Sequence, residues 1–128
     1  GGRTTWAETR DITIFENVFR NTDRGLVLNA VGSGAAGQAV RAQRYVVWGN
    51  LFYKAGPRSD FGGRGDLIAL GSNPAHSLVS ENTVDGDYHS LTLTAVSATP
   101  EVGLTVERNI FNFGTYGVFG SGSGLRSF

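Results

Sequence analysis

The run Ile12-Thr13-Ile14-Phe15-Glu16-Asn17-Val18-Phe19 decides how this chain is read, because its pattern returns three times. Tyr45-Val46-Val47-Trp48-Gly49-Asn50-Leu51-Phe52 is a close copy, and Ser77-Leu78-Val79-Ser80-Glu81-Asn82-Thr83-Val84 and Leu104-Thr105-Val106-Glu107-Arg108-Asn109-Ile110-Phe111 follow. Each copy is a short alternating apolar run, an asparagine, and an apolar pair that usually ends in Phe. The asparagines at 17, 50, 82 and 109 are separated by 33, 32 and 27 residues. Repeats of this length mark an architecture in which one small unit is stacked on the next.

Period-two alternation assigns each run to a β-strand, with Ile12 and Ile14 on one face and Thr13 and Phe15 on the other. A second strand follows each asparagine at a similar distance. Leu26 and Leu28 lie nine and eleven residues after Asn17, as Leu91 and Leu93 do after Asn82 and Val118 and Gly120 after Asn109. In the second copy the equivalent run, Leu67-Ile68-Ala69-Leu70-Gly71, is displaced by a long insertion. There Ile68 and Leu70 are the expected inward pair, on size. A unit of such short strands cannot bury its own apolar face, but units stacked at about 4.8 Å form continuous columns of inward side chains. The expected columns are Ile14, Val47, Val79 and Val106; Val18, Leu51, Thr83 and Ile110; and Phe19, Phe52, Val84 and Phe111. The asparagines would stack as well, each amide bonding its equivalents above and below and the backbone of the bend.

These I-x-I-x-x-N-x-F repeats, with stacked asparagines and glycine-flanked second strands, resemble the right-handed parallel β-helix superfamily, whose best-known members are the pectate lyase-like proteins. The resemblance spans residues 11–122 and is specific for fold, because the shared motif is structural. It implies a single all-β domain over 1–128, a single-stranded solenoid of about four coils anchored at Asn17, Asn50, Asn82 and Asn109. Four coils make a column only about 19 Å tall. Solenoids are normally longer and capped, and neither end of this sequence reads as a capping helix. The chain contains no Met, and a start other than its own start codon is expected. A processed product or a piece of a longer secreted or cell-envelope protein is expected.

Composition narrows the function. The 128 residues carry 11 basic and 11 acidic side chains, and the net charge of zero provides no field for nucleic acid or an anionic membrane. There is no Cys, which removes disulfides and thiolate metal sites. No apolar run is long enough to span a membrane as a helix. The 19 glycines favour turns and short strands.

Two familiar motifs carry little weight. Gly32-Ser33-Gly34-Ala35-Ala36-Gly37 spells a dinucleotide fingerprint, but another strand copy follows where the motif needs a helix and an acidic residue. Arg64-Gly65-Asp66 spells an adhesion tripeptide, yet it lies where a turn must lead into the second strand. His76, in Asn73-Pro74-Ala75-His76, reads as part of a tight turn.

Loops at equivalent places in successive coils must lie side by side, and this brings a candidate site to one edge. The loops after the asparagine bends gather Lys54, Arg58, Asp60, Arg64, Asp66, Asp85, Asp87 and His89, with Tyr88 and Tyr116. From these, Lys54, Arg58, Arg64, Asp85, Asp87 and His89 are the candidate substrate-binding residues. Asp85 and Asp87 are the candidate Ca²⁺ ligands, since carboxylates holding Ca²⁺ beside a basic residue suit β-elimination on an acidic sugar polymer. Paired carboxylates could equally serve glycoside hydrolysis, and charged loops also occur as simple solvated surface. No lyase catalytic motif is present, so no catalytic residue is assigned. Phe15 and Trp48, each two residues before its asparagine, are expected to be neighbours on an outward face. There Trp48 could stack on a sugar ring or lie beneath the 31–44 loop.

The function expected is therefore a segment of an extracellular carbohydrate-active β-helix protein, lyase- or hydrolase-like, binding a polysaccharide along a loop edge. The alternative is a non-catalytic solenoid scaffold or adhesion module. Open strand edges at both ends would permit end-to-end self-association.

Overall fold

The computed structural model describes residues 9–29, 42–55, 65–71, 74–86, 89–94, 103–112 and 117–121. The segments 30–41 and 56–64, which contain the glycine motif and most of the long insertion, lie outside the described residues. Among the described residues there are twelve β-strands and no helix. They are β1 (Arg10–Phe15), β2 (Val18–Arg20), β3 (Leu26–Asn29), β4 (Gln43–Trp48), β5 (Leu51–Ala55), β6 (Asp66–Gly71), β7 (Leu78–Ser80), β8 (Thr83–Gly86), β9 (His89–Thr94), β10 (Thr105–Glu107), β11 (Ile110–Phe111) and β12 (Gly117–Ser121).

Every third strand pairs with the next, in parallel. The three sheets run β1-β4-β7-β10, β2-β5-β8-β11 and β3-β6-β9-β12. This is a parallel β-helix of four coils, with three strands to a coil. The registers are those that the repeats dictate. Ile14 lies opposite Val47, Val47 opposite Val79 and Val79 opposite Val106. Leu26, Ile68, Leu91 and Val118 share one row of the third sheet, and Leu28, Leu70, Leu93 and Gly120 another. The inward choice of Ile68 and Leu70 holds, and Leu67 is buried as well.

The core lies in the middle coils. Val47, Phe52, Leu67, Ile68, Leu70, Val79, Val84, Leu91 and Leu93 form one buried cluster, with Phe19, Leu26, Leu28, Leu104 and Phe111 packed against it. Phe19 and Phe52 stack with centroids 4.6 Å apart and planes within 8°. Gly25 is required by close approach, since a Cβ there would stand 2.2 Å from the Leu67 carbonyl oxygen and 2.7 Å from the Phe52 ring.

One expected column is corrected. Val18, Leu51, Thr83 and Ile110 do form a row in register, but they face outward, with Val18 63% and Ile110 69% exposed. The reason is the inward position of the asparagine itself. Asn82 is fully buried and Asn50 nearly so. With the asparagine facing in, alternation sends the next residue out and the one after it, Phe19, Phe52, Val84 or Phe111, back in.

The asparagines form a directional ladder. The main-chain N–H and the Nδ2 of Asn17, Asn50 and Asn82 donate to the Oδ1 of the asparagine one coil further on. The lengths are 3.0 and 3.1 Å from Asn17 to Asn50, 3.0 and 3.0 Å from Asn50 to Asn82, and 2.9 and 3.0 Å from Asn82 to Asn109. Each Nδ2 also reaches the carbonyl two residues before it, at Phe15, Trp48, Ser80 and Glu107. These bonds satisfy backbone groups at a sharp bend that would otherwise be buried unpaired.

The bend also has a conformational requirement. The residue before every anchor is left-handed: Glu16 at φ 53°, Gly49 at 65°, Glu81 at 56° and Arg108 at 52°. A second left-handed column lies six residues before the anchors, at Asp11, Arg44, His76 and Gly103. Only Gly49 and Gly103 adopt this conformation without a side-chain penalty. The charges at these corners are matched between coils. Arg44 Nε and Nη2 donate to the two Asp11 carboxylate oxygens at 2.6 and 2.8 Å, and Arg108 Nη2 lies 2.6 Å from Glu81 Oε1. The hydrogen bond and charge of Arg44 hold the Asp11 carboxyl below its ordinary value.

Candidate functional site

The edge predicted to gather charged loop residues is divided by the fold into two groups. Arg58, Arg64 and Asp87, with Asp60, Tyr88 and Tyr116, lie outside the described residues. Of the candidates that are described, His89 belongs to the third sheet, Lys54 and Asp85 to the second, and Trp48 to the first.

His89 opens β9 directly opposite Asp66 of the coil before. Its Nδ1 lies 2.9 Å from Asp66 Oδ1, and the Thr92 hydroxyl donates to the same oxygen at 2.9 Å. The hydrogen bond to a carboxylate places a proton on Nδ1. On its other side the imidazole stacks on Phe119 of the fourth coil, with centroids 5.0 Å apart and planes within 7°. The side chains of His89 and Asp66 are only 11% and 18% exposed. A pair so enclosed ties coils two, three and four together and presents little surface to a polymer. Asp66 is thus engaged within the fold, which removes the accessible carboxylate that an adhesion tripeptide at 64–66 would need.

The second group is open. Arg20, Tyr53 and Asp85 are register neighbours on the second sheet. Asn112 follows in the next coil, and its Nδ2 donates to Asp85 Oδ1 at 3.1 Å. Alternation from the inward asparagine aims the third residue after each anchor outward, as it does the first. Tyr53 is accordingly 42% exposed, and Lys54 Nζ sits over its ring, 5.2 Å from the centroid. Beside this polar row runs the apolar row of Val18, Leu51, Thr83 and Ile110. The outward face of the second sheet therefore carries two cations, an aromatic platform, a carboxylate and an amide, with a different group at the equivalent position of each coil.

Phe15 and Trp48 are register neighbours, as expected. Phe15 is 54% exposed and Trp48 half-buried. Ser80, next in that row, is buried, and its Oγ has no hydrogen-bond partner.

Among the described residues no group of three or more His, Cys, Asp or Glu side chains is placed to hold a metal ion. Asp85 is held by Asn112, and its proposed companion ligand Asp87 lies outside the described residues. The sequence reading missed Tyr53, although the signal was present. Once the asparagine is placed inward, alternation alone exposes positions one and three after it. The link from Asp66 to His89 was hidden by the insertion, which puts Asp66 sixteen residues after its anchor and His89 seven after its own.

No family model matches the chain, and no curated protein or solved structure matches it either.

Proposed function

We propose that this chain is a polysaccharide-gripping segment of a pectate lyase-like, extracellular β-helix protein, and that it holds an acidic sugar polymer along the outward face of its second sheet. The observation that carries the reading is the exposed row of Arg20, Tyr53 and Asp85 with Lys54 over the Tyr53 ring. A linear polymer laid along the solenoid axis would meet one residue of this row in each coil, Arg20, Tyr53, Asp85 and Asn112 in turn. The phenol face suits a sugar ring. Arg20 and Lys54 suit uronate carboxylates, and Asp85 and Asn112 suit hydroxyl groups.

A scaffold or adhesion module without cleavage chemistry is the second reading. It is favoured by the engagement of Asp66 with His89 and of Asp85 with Asn112, which occupies both of these carboxylates within the fold. Both readings are tested by affinity electrophoresis of the chain in gels containing polygalacturonate or a neutral glucan. Retardation by polygalacturonate is expected, with Tyr53→Ala weakening it about fivefold. Equal mobility in every gel, or retardation indifferent to Tyr53→Ala, counts against the gripping face. Release of unsaturated uronate in the presence of calcium would place cleavage in this chain and overturn the non-catalytic reading.

A further inference from the structure

The outward face of the second sheet carries its charges in an order. Arg20, Tyr53 and Asp85 lie opposite one another in successive coils, and Asn112 follows in the next, joined to Asp85 through its Nδ2. A cation thus stands in the first coil and a carboxylate two coils on, about 10 Å away along the axis. The second coil adds another cation through an irregularity of register. Tyr53 lies opposite Asp85 and Ala55 opposite Gly86, so Lys54 is an extra residue without a register partner. It adopts the left-handed conformation, at φ 49°, and a bulge of this kind re-aims a side chain. Its Nζ comes to lie over the Tyr53 ring, 5.2 Å from the centroid. Along this row coils one and two are basic, and coils three and four are not.

We propose that Asp85 sets the specificity of this face. It keeps carboxylates off the third coil, so that the preferred ligand is a polysaccharide whose uronates are interrupted by uncharged sugars, not a uniform polyuronate. The proposal rests on the reading of the second sheet as the gripping face.

Nothing among the described residues neutralises Asp85. Its partner is the uncharged Asn112 amide, which donates to Oδ1 at 3.1 Å and leaves Oδ2 to accept from a ligand. A ligand carboxylate at this position meets like charge, whereas a sugar hydroxyl donates to it. Asp85 is also held in place. The Asn112 main-chain N–H donates to the Val84 carbonyl at 2.8 Å, and the Asn112 carbonyl accepts from the Ser90 hydroxyl at 2.7 Å. With both backbone groups engaged, the Asn112 amide is a fixed donor that restrains the carboxylate. Arg20, by contrast, is exposed and pairs with no carboxylate among the described residues. The coil rise of about 4.8 Å is close to the length of one sugar unit in an extended polymer. Successive sugars therefore meet successive members of the row: uronates at Arg20 and Lys54, and an uncharged sugar at Asp85.

The test is affinity electrophoresis at low ionic strength in gels of three polymers. They are polygalacturonate, polygalacturonate with part of its carboxylates reduced to primary alcohols, and a neutral glucan. The reduced polymer keeps the backbone, and some of its stretches place an uncharged sugar where a uronate would meet Asp85. The unaltered chain is expected to bind it about threefold more tightly than the fully acidic polymer, the size of one charge contact at a surface. Raised salt should shrink that preference. Asp85→Asn keeps the shape and an acceptor for Asn112, and should abolish the preference by strengthening binding to the fully acidic polymer, with circular dichroism confirming the β-fold. Tighter binding of the fully acidic polymer by the unaltered chain, or a preference that Asp85→Asn leaves unchanged, overturns the role of Asp85. In that case binding that still falls with Tyr53→Ala leaves the gripping face standing. Binding of neither acidic polymer overturns the gripping face itself, and the role of Asp85 with it.

Discussion

Replacing Asn82 with alanine lowers the stability of the chain by about 3–5 kcal/mol, among the largest losses available from a polar side chain in this fold. Asn82 Oδ1 accepts from both the main-chain N–H and the Nδ2 of Asn50. Its Nδ2 is shared among Val47 O at 2.9 Å, Ser80 O at 3.0 Å and Asn109 Oδ1 at 3.0 Å. Asn50, Val47 and Ser80 are all buried, so water cannot replace the lost partner without opening the coils. The Ser80 carbonyl retains the Gly49 N–H at 3.1 Å, whereas the Asn50 N–H loses its acceptor. Asn82→Asp keeps that acceptor but sets a buried carboxylate against Val47 O, Ser80 O and Asn109 Oδ1, so a loss at least as large is expected. Asn17→Ala, at an exposed end of the ladder, should cost only about 1 kcal/mol. Urea unfolding of the three variants measures this gradient; equal losses at Asn17 and Asn82 would show that the ladder does not hold the bends.

Phe52→Ala is expected to cost about 3–5 kcal/mol, the range for emptying a buried aromatic site. Phe52 is completely buried, stacks on Phe19 and lies in register with Val84. The cavity cannot close easily, because Leu67 and Val84 are held in their strands and the Gly25 N–H is bonded to the Asp66 carbonyl. Leu51→Ala, one residue earlier, should cost less than about 1 kcal/mol, since Leu51 is 36% exposed. Comparing adjacent positions separates inward from outward with little dependence on how the unfolded chain behaves. Comparable losses at 51 and 52 would reverse the facing of the second sheet.

That facing is where the sequence was hardest to read. Strand positions, coil number and most registers follow from the spacing of the asparagines, because a parallel stack repeats its register in every coil. Apolarity alone misassigned Val18, Leu51 and Ile110, which are as hydrophobic as the inward residues beside them. Their direction is set by the asparagine, a polar residue buried by the bend it stabilises, and hydropathy does not show that. The left-handed corners were hidden for a related reason. Glu16, Glu81 and Arg108 occupy a conformation that sequence would assign to Gly or Asn, and only Gly49 shows the expected type. The ladder bonds and the ion pairs between coils hold these residues where local preference would not.

Less of the candidate site was legible. Repetition specifies what is common to the coils, and a binding surface is made from what differs. Lys54 and Asp85 fall on the same sheet because each lies within four residues of its asparagine. Asp66 and His89 met only through the offset introduced by the insertion, and their enclosure depends on Phe119 from yet another coil. A residue's company across three coils is a property of the stack, and no single repeat contains it.

The parallel stack of four coils is tested most directly by nuclear Overhauser contacts between backbone protons in the isotopically labelled chain. The stacked architecture predicts contacts that join Ile14 to Val47, Val47 to Val79 and Val79 to Val106, all far apart in sequence and all in parallel register. Antiparallel contacts between consecutive strands, such as β1 with β2 or β4 with β5, would contradict it.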